Sequence, residues 1–250
     1  MLALHGWARS HRDFDRVLTG VAPAAGASAD PGAPAAPGLP ADPQADPELD
    51  AIALDLPGFG AAPEPPGPWG SADYAAAIAP VLDEMTDQVV VLGHSFGGRV
   101  AVQLAARRPE RVRALVLTGV PLARPPGAPR RPPAAFRLVR ALHRAGLVGD
   151  RRIEAARQRH GSEDYRNARG VMRQVLVASL AERYEELLAA VSCPLWLVWG
   201  EDDPVTPLSV AEAVVGLVPG ARLDVWPGAG HLTPLTIPAE LHRAARRALA

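Results

Sequence analysis

A serine in a glycine-flanked turn is the residue best suited to do chemistry in this chain. Ser95 lies at the centre of Gly93-His94-Ser95-Phe96-Gly97, which fits the pattern G-x-S-x-G. Such a turn needs glycines because a strand and a helix approach each other too closely for side chains at the flanking positions. It also leaves the serine Oγ exposed at the C-terminal end of the sheet. A serine held in this way can attack a carbonyl carbon once a base takes its proton.

The segments on either side of Ser95 predict a strand before the turn and a helix after it. Residues 89–92 are four consecutive apolar residues, which suit a parallel strand that is covered on both faces. After the turn, Val100 and Leu104 recur at helical spacing. The start of this helix directs backbone N–H groups at developing negative charge, so we predict that the N–H of Phe96 is an oxyanion donor.

A second donor is predicted at the start of the chain. The short apolar strand over residues 2–4 runs directly into His5-Gly6-Trp7. Taken alone, this stretch suits an ordinary turn from a strand into a loop. The serine turn downstream favours a loop that presents the backbone N–H of Trp7 to a reacting carbonyl, beside that of Phe96.

Candidate partners for the serine follow the last two predicted strands. Asp202 and Asp203 lie in the turn after residues 195–199, and His231 follows a glycine turn after residues 221–226. The carboxyl ends of parallel strands lie at one edge of a sheet, where open α/β sheets bind their ligands. We therefore expect a serine, an acid and a histidine to meet there, and this argument leaves both aspartates open.

The whole pattern predicts an α/β fold with a mostly parallel sheet flanked by helices. Strands are predicted over residues 2–4, 50–55, 89–92, 112–118, 195–199 and 221–226. A helix is predicted from Ser71 to Met85, with Ser71 as its N-cap. Asp55, at the end of the second strand, suits either a catalytic acid or a carboxylate that fixes the following Pro-Gly turn, and we favour the turn.

Two segments depart from the alternation of strands and helices. Residues 21–50 hold seven prolines among Ala, Gly and Asp, so we predict a flexible Pro/Ala-rich insertion. Residues 122–190 predict a helical cap on a core formed by residues 1–121 and 191–250, with cap helices over residues 134–145, 150–160 and 165–188. Arginine exceeds acid in the first part of the cap. Attraction of anionic substrates would explain this excess, but a solvated face is the favoured interpretation.

Composition excludes several classes of protein. The 250 residues suffice for one α/β domain, and 26 basic against 27 acidic residues give a net charge of −1, which implies no nucleic-acid partner. The single cysteine, Cys193, excludes an internal disulfide framework and suits the cytoplasm. No signal peptide is recognised, and no run reaches the ~18 apolar residues of a membrane span.

The chain resembles the α/β-hydrolase superfamily, in its capped esterase-like branch, from His5 to nearly the C-terminus. The stretches that carry the resemblance are His5-Gly6-Trp7, Asp55-Leu56-Pro57-Gly58-Phe59-Gly60, Gly93-His94-Ser95-Phe96-Gly97-Gly98, Gly200-Glu201-Asp202-Asp203 with Pro207, and Gly230-His231. The resemblance implies Ser95 as nucleophile, His231 as general base and acid, and Asp203, rather than Asp202, as the orienting carboxylate. By the same pattern His94 is a structural neighbour of the nucleophile.

The resemblance also implies a reaction class. A carboxylic ester or related acyl bond of a small molecule would be hydrolysed through an acyl-enzyme, with no metal and no organic cofactor. The same three residues would also suit cleavage of a carbon–carbon bond next to a ketone, lactone opening, thioester hydrolysis or cofactor-free perhydrolysis. A non-catalytic small-ligand binder is the alternative from another class. A serine at position 95 argues against dehalogenase and epoxide-hydrolase chemistry, which use an aspartate there.

The start of the chain departs from the superfamily. Members usually carry two further strands before the His-Gly strand, so the fold is expected to lack the first two N-terminal strands, or the true start lies upstream of Met1. In either case we expect the strand around residues 52–54 to be poorly covered on one side. The acyl preference and the oligomeric state stay open.

Overall fold

The computed structural model describes residues 1–20, 49–123, 134–160 and 163–250. Within these residues, six parallel strands form one sheet in the order β2-β1-β3-β4-β5-β6. The strands are β1 Leu2–Leu4, β2 Ile52–Leu54, β3 Val89–His94, β4 Val112–Thr118, β5 Leu195–Gly200 and β6 Arg222–Trp226. The α/β-hydrolase fold and all six predicted strands are confirmed, with ends that differ from the prediction by two residues at most.

The order of the strands places a crevice beside the serine turn. The chain runs outward from β1 to β2 and then returns to the other side of β1 to form β3. Ligands bind outside the carboxyl ends of strands at such a reversal. Leu4 of β1 pairs with Gly93 of β3, so the His5 loop and the Ser95 turn leave the sheet side by side.

The helices of the described residues cover both faces of the sheet. They are a 3₁₀ helix His11–Phe14, then α1 Asp15–Thr19, α2 Ser71–Glu84, α3 Phe96–Arg107, α4 Ala134–Arg144, α5 Asp150–His160, α6 Glu163–Asn167, α7 Gly170–Ala181, α8 Glu185–Ala189, α9 Leu208–Leu217, α10 Thr233–Thr236 and α11 Pro238–Leu249. Val91 belongs to the apolar core on the face covered by α2 and α3. Val90 and Leu92 belong to the core on the opposite face, which α11 covers. Burial on both faces explains why residues 89–92 of β3 are an unbroken apolar run.

Two details of the predicted helices are wrong. The N-cap of α2 is Gly70, whose N–H donates to the Asp73 carboxylate at 2.8 Å, while Ser71 is the first helical residue. The predicted helix over residues 165–188 is three helices, α6 to α8. Gly170 has a φ of +50°, a left-handed conformation that a continuous α-helix does not contain, and Glu182 is extended at the end of α7.

Other expectations concern the cap, the insertion and the edge of the sheet. α4 and α5 lie where two cap helices were predicted, whereas residues 21–48 of the predicted insertion fall outside the described residues. β2 is an edge strand of the described sheet, and Ile52 is 42% exposed. No helix in the described part of the chain is long and apolar enough to cross a membrane.

Candidate active site

The turn that carries Ser95 is strained and tightly packed. Ser95 joins β3 to α3 with a φ of +49° and a ψ of −113°. Positive φ is uncommon for a residue other than glycine, and such strain persists where the surrounding structure enforces it. A Cβ on Gly93 would lie 2.4 Å from the Cα of Gly98, and a Cβ on Gly97 would lie 2.2 Å from the carbonyl oxygen of Leu4. The close approach that the glycines predicted is therefore present.

The structure brings Ser95, His231 and Asp203 into one hydrogen-bonded series. The His231 Nδ1 lies 2.8 Å from Asp203 Oδ2, and its Nε2 lies 3.2 Å from the Ser95 Oγ. An ionised carboxylate only accepts hydrogen bonds, so Nδ1 carries the proton and Nε2 is left to accept from the serine hydroxyl. The Asp203 side chain is 1% exposed and that of His231 is 15% exposed, so only the histidine is open to a substrate.

Backbone groups fix the orientation of the Asp203 carboxylate. Its Oδ1 accepts the N–H groups of Val205 and Thr206, each at 2.8 Å. Thr206 is itself held, because its hydroxyl donates to the Gly119 carbonyl at 3.1 Å and its carbonyl accepts from the Trp199 indole at 2.9 Å. These bonds leave Oδ2 for His231.

This geometry distinguishes between the two aspartates that the sequence left open as partners of the histidine. Asp203 is buried beside His231, whereas Asp202 is exposed. Gly119, the residue after β4, also lies against this site, since a Cβ there would lie 3.0 Å from His231 Cε1. A glycine with a φ of +60° after a strand is a signal that could have indicated this contact.

His94 holds the backbone of His231 rather than the serine. Its Nε2 donates to the His231 carbonyl at 2.9 Å, so its Nδ1 is unprotonated. Burial, with His231 nearby, lowers the pKa of His94 to about 3 and keeps the ring neutral. This position agrees with the interpretation of His94 as a structural neighbour.

His5 fixes the loop that contains the other predicted donor. Its Nδ1 donates to the Gly6 carbonyl at 2.8 Å, and its Nε2 accepts the N–H of Leu56 at 3.0 Å. Burial lowers the pKa of His5, so this ring is also neutral. The His5 side chain thereby joins the loop after β1 to the loop after β2.

The predicted oxyanion donors lie beside Ser95, with Trp7 in the loop after β1 and Phe96 at the first position of α3. A Cβ on Gly6 would lie 3.3 Å from the Ser95 Cβ, and the rings of Trp7 and Phe96 meet edge to face at 5.5 Å. Within the described residues, the backbone N–H groups of Trp7 and Phe96 donate to no protein acceptor. Both N–H groups are thus available to an incoming oxygen.

Asp55 lies away from this series and fixes two loops. Its carboxylate accepts the backbone N–H groups of His11 and Ala61, each at 2.8 Å, and the His11 ring at 2.9 Å. Burial opposes ionisation, but these hydrogen bonds outweigh it and lower the pKa of Asp55 to about 2. Asp55 therefore has the structural role that the sequence favoured, a carboxylate that fixes the turn after β2.

Helices that follow β4 reach the neighbourhood of the site. Met172 of α7 packs on Gly58, where a Cβ would lie 2.3 Å from its Sδ. Burial and Glu163 raise the pKa of Asp164 on α6, while His231 is close enough to oppose that shift. Sequence reasoning missed Asp164, because an acidic residue in a short helix carries no signal of what it faces. Among the described residues, no three His, Cys, Asp or Glu side chains are grouped to hold a metal ion.

The chain and its fold have known counterparts. A profile of the Alpha/beta hydrolase family matches residues 1–244, and the chain belongs to that family. Pimeloyl-[acyl-carrier protein] methyl ester esterase of Neisseria meningitidis is 32% identical over 204 residues, which cover 72% of this chain and 75% of that protein. 2-Hydroxymuconate semialdehyde hydrolase of Pseudomonas putida is 31% identical over 200 residues, covering 74% and 71%.

A solved structure of low identity repeats the fold. The crystal structure of the esterase RhEst1 from Rhodococcus sp. has a TM-score of 0.62 at 23% identity, and the match covers 98% of this chain and 88% of that one. The family match and the two relatives identify the chain as an enzyme, an α/β-fold hydrolase.

Proposed function

We propose that the protein hydrolyses a carboxylic ester or related acyl bond of a small molecule through an acyl-enzyme on Ser95. The observation that carries this proposal is the hydrogen-bonded series from Asp203 through His231 to Ser95. Beside that serine lie the N–H groups of Trp7 and Phe96, which have no protein acceptor among the residues that the structure describes. A nucleophile, a base, an orienting acid and a pair of oxyanion donors are the groups that acyl transfer requires.

Acylation begins with transfer of a proton. His231 Nε2 takes the Ser95 hydroxyl proton as Oγ attacks the carbonyl carbon, and the carbonyl π electrons move onto its oxygen. The N–H groups of Trp7 and Phe96 donate to that oxyanion. Asp203 keeps the proton on His231 Nδ1 and stabilises the imidazolium that forms.

Collapse of the tetrahedral intermediate completes the first half of the reaction. His231 gives its Nε2 proton to the leaving oxygen, the alcohol departs, and an ester on Ser95 Oγ remains. In the second half, His231 takes a proton from water, the hydroxide attacks the acyl carbon, and Ser95 Oγ leaves and recovers its proton. The free acid and the starting enzyme result.

We also propose that residues 122–190 act as a cap over the site. The contact of Met172 with Gly58 and the electrostatic effect of His231, which acts to lower the pKa of Asp164, support this placement. The substrate would then enter between the cap and the loops that follow β1 and β3. A site enclosed in this way excludes bulk water and strengthens electrostatic interactions inside it.

Carbon–carbon bond hydrolysis next to a ketone is the second candidate. The observation in its favour is the 31% identity with 2-hydroxymuconate semialdehyde hydrolase. Such a reaction would use the same serine series, but the leaving atom would be carbon and would need a proton delivered to it. Ester substrates therefore test the first candidate directly.

The experiment is turnover of p-nitrophenyl esters from acetate to decanoate by the wild type and by Ser95→Ala. We expect the substitution to lower kcat/KM by at least about 10³-fold, because the nucleophile is lost. Ser209→Ala, in α9, is the matched control and should keep wild-type turnover. Equal turnover by Ser95→Ala and wild type would exclude the proposal, and wild-type inactivity on every ester would favour the carbon–carbon candidate.

A further inference from the structure

A buried polar cluster joins α3, the helix that follows Ser95, to the end of α7. Arg99 lies on α3, one helical turn after Ser95, and is only 8% exposed. Its Nη1 donates to the carbonyl of Ser179, in the last turn of α7, at 2.5 Å. Its guanidinium carbon lies 5.7 Å from the centre of the Tyr184 ring.

The environment of Arg99 explains how a cation is tolerated there. Burying a charge is unfavourable unless the charge is paired or hydrogen-bonded. No carboxylate oxygen of the described residues lies within 4.0 Å of the Arg99 guanidinium. A carbonyl at the negative end of the α7 dipole and the face of an aromatic ring take the place of a counter-ion. The position of α7 is thus part of what keeps Arg99 buried.

The carboxylate of Glu182, directly after α7, makes a second set of contacts in the same cluster. Glu182 follows α7, and its Oε1 accepts the N–H of Ser71, the first residue of α2, at 2.6 Å. Its Oε2 accepts the hydroxyl of Tyr184. The Ser71 Oγ lies 3.0 Å from that hydroxyl and accepts from Gln103 of α3, also at 3.0 Å. Residues 179–184 are therefore fastened to both α2 and α3.

The other end of α7 lies against the loops of the proposed oxyanion site. Met172 is buried on Gly58. The neighbouring Phe59 ring meets the Trp7 ring edge to face at 4.9 Å. A shift of α7 would therefore reach the Trp7 loop through the contact of Met172 with Gly58 and the contact of Phe59 with Trp7.

We propose that Arg99 is a positioning residue that fixes α7, and with it a wall of the acyl pocket, relative to Ser95. This inference rests on the proposed ester hydrolysis. Arg99 touches no reacting atom, so its loss should affect the binding of long acyl chains more than the chemistry of short ones. Small displacements of positioning groups can lower rates by about 10²-fold.

The test compares Arg99→Met, Arg99→Lys and wild type on p-nitrophenyl acetate and octanoate. Methionine keeps an unbranched side chain but has no donor, so we expect KM for octanoate to rise by about 10-fold while kcat for acetate stays within about 3-fold. Lysine keeps one charged donor and should recover part of the loss. Arg113→Met, at an exposed position of β4, is the matched control and should leave both substrates unchanged.

Hydrogen exchange of α7 tests the anchoring without any substrate. Arg99→Met should increase exchange of the amides over residues 170–181, while protection of β3 and β4 stays at the wild-type level. Glu182→Gln, which keeps only one of two acceptors, should act in the same direction and serves if Arg99→Met does not fold.

The outcomes separate this inference from the proposed function. Faster α7 exchange together with a selective loss on octanoate supports the inference. Unchanged exchange, or equal losses on acetate and octanoate, overturns it. Faster α7 exchange in an enzyme that cleaves no ester supports the anchoring by Arg99 and refutes only the proposed reaction.

Discussion

Replacement of Asp203 by asparagine tests the proposed hydrogen-bonded series at its most buried member. The Asp203 Oδ1 accepts two backbone N–H groups, from Val205 and Thr206. In Asp203→Asn, the amide oxygen must take that place, because an amide NH₂ there would face two donors. The NH₂ group is then directed at His231 Nδ1.

The structure gives the consequence for His231. An NH₂ group that faces Nδ1 favours the tautomer with the proton on Nε2, the atom that lies 3.2 Å from the Ser95 Oγ. That nitrogen can no longer accept the serine proton. The same change of tautomer in serine proteases lowers kcat by about 10⁴-fold, which corresponds to ~5.4 kcal/mol of transition-state stabilisation.

The assay is kcat/KM on p-nitrophenyl acetate at pH 7, beside thermal unfolding of the same samples. Asp202→Asn is the matched control, since Asp202 is exposed and one residue away. We expect a loss of about 10⁴-fold for Asp203→Asn, none for the control, and similar melting temperatures for both. Activity of Asp203→Asn within 10-fold of wild type would refute the reasoning.

Two further predictions concern the stability of the fold. Gly93→Ala should prevent the correct serine turn and lower the yield of folded protein, because the new Cβ would lie 2.4 Å from the Gly98 Cα. Gly216→Ala is the control, because a Cβ there would meet no atom from outside its own helix within 4 Å; it should be neutral or stabilise α9 by up to ~1 kcal/mol, measured by chemical denaturation. Since the pKa of His94 is lowered from 6.5 to about 3, only the unfolded chain takes up the proton between these values, so stability should fall as pH decreases below 6.5 by up to ~1.4 kcal/mol per unit. His94→Gln should show a shallower slope between pH 7 and pH 5, and a slope equal to that of wild type would exclude His94 as the cause.

The strands and the serine turn could be predicted from the sequence because their signals are local. Strands covered on both faces have long apolar runs, such as residues 89–92 of β3. The glycines of the G-x-S-x-G turn indicate that strand and helix approach each other closely. The distinction between Asp202 and Asp203 needed the resemblance, because it depends on which carboxylate the folded chain turns towards His231.

The details that could not be predicted depend on contacts between distant segments. Serine is a residue type typical of an N-cap, but the backbone N–H of Ser71 donates a hydrogen bond to Glu182, which lies 111 residues away in the sequence. The break before α7 likewise follows from the conformation of Gly170, and the break after α7 follows from the contacts of Glu182. The spacing of apolar residues along the sequence indicates neither of them. The burial of Arg99 gave no signal either, since an arginine on a helix is usually at the surface.

The most direct test of the proposed catalytic serine is covalent labelling by a fluorophosphonate, followed by intact mass and peptide mapping. The nucleophile displaces fluoride and forms one stable phosphonyl adduct. We predict a single adduct on Ser95 in the wild type, none on Ser95→Ala, and labelling of His231→Ala slowed by at least about 10³-fold because the base is missing. An adduct on another residue, or equal labelling of Ser95→Ala and wild type, would contradict the proposed mechanism.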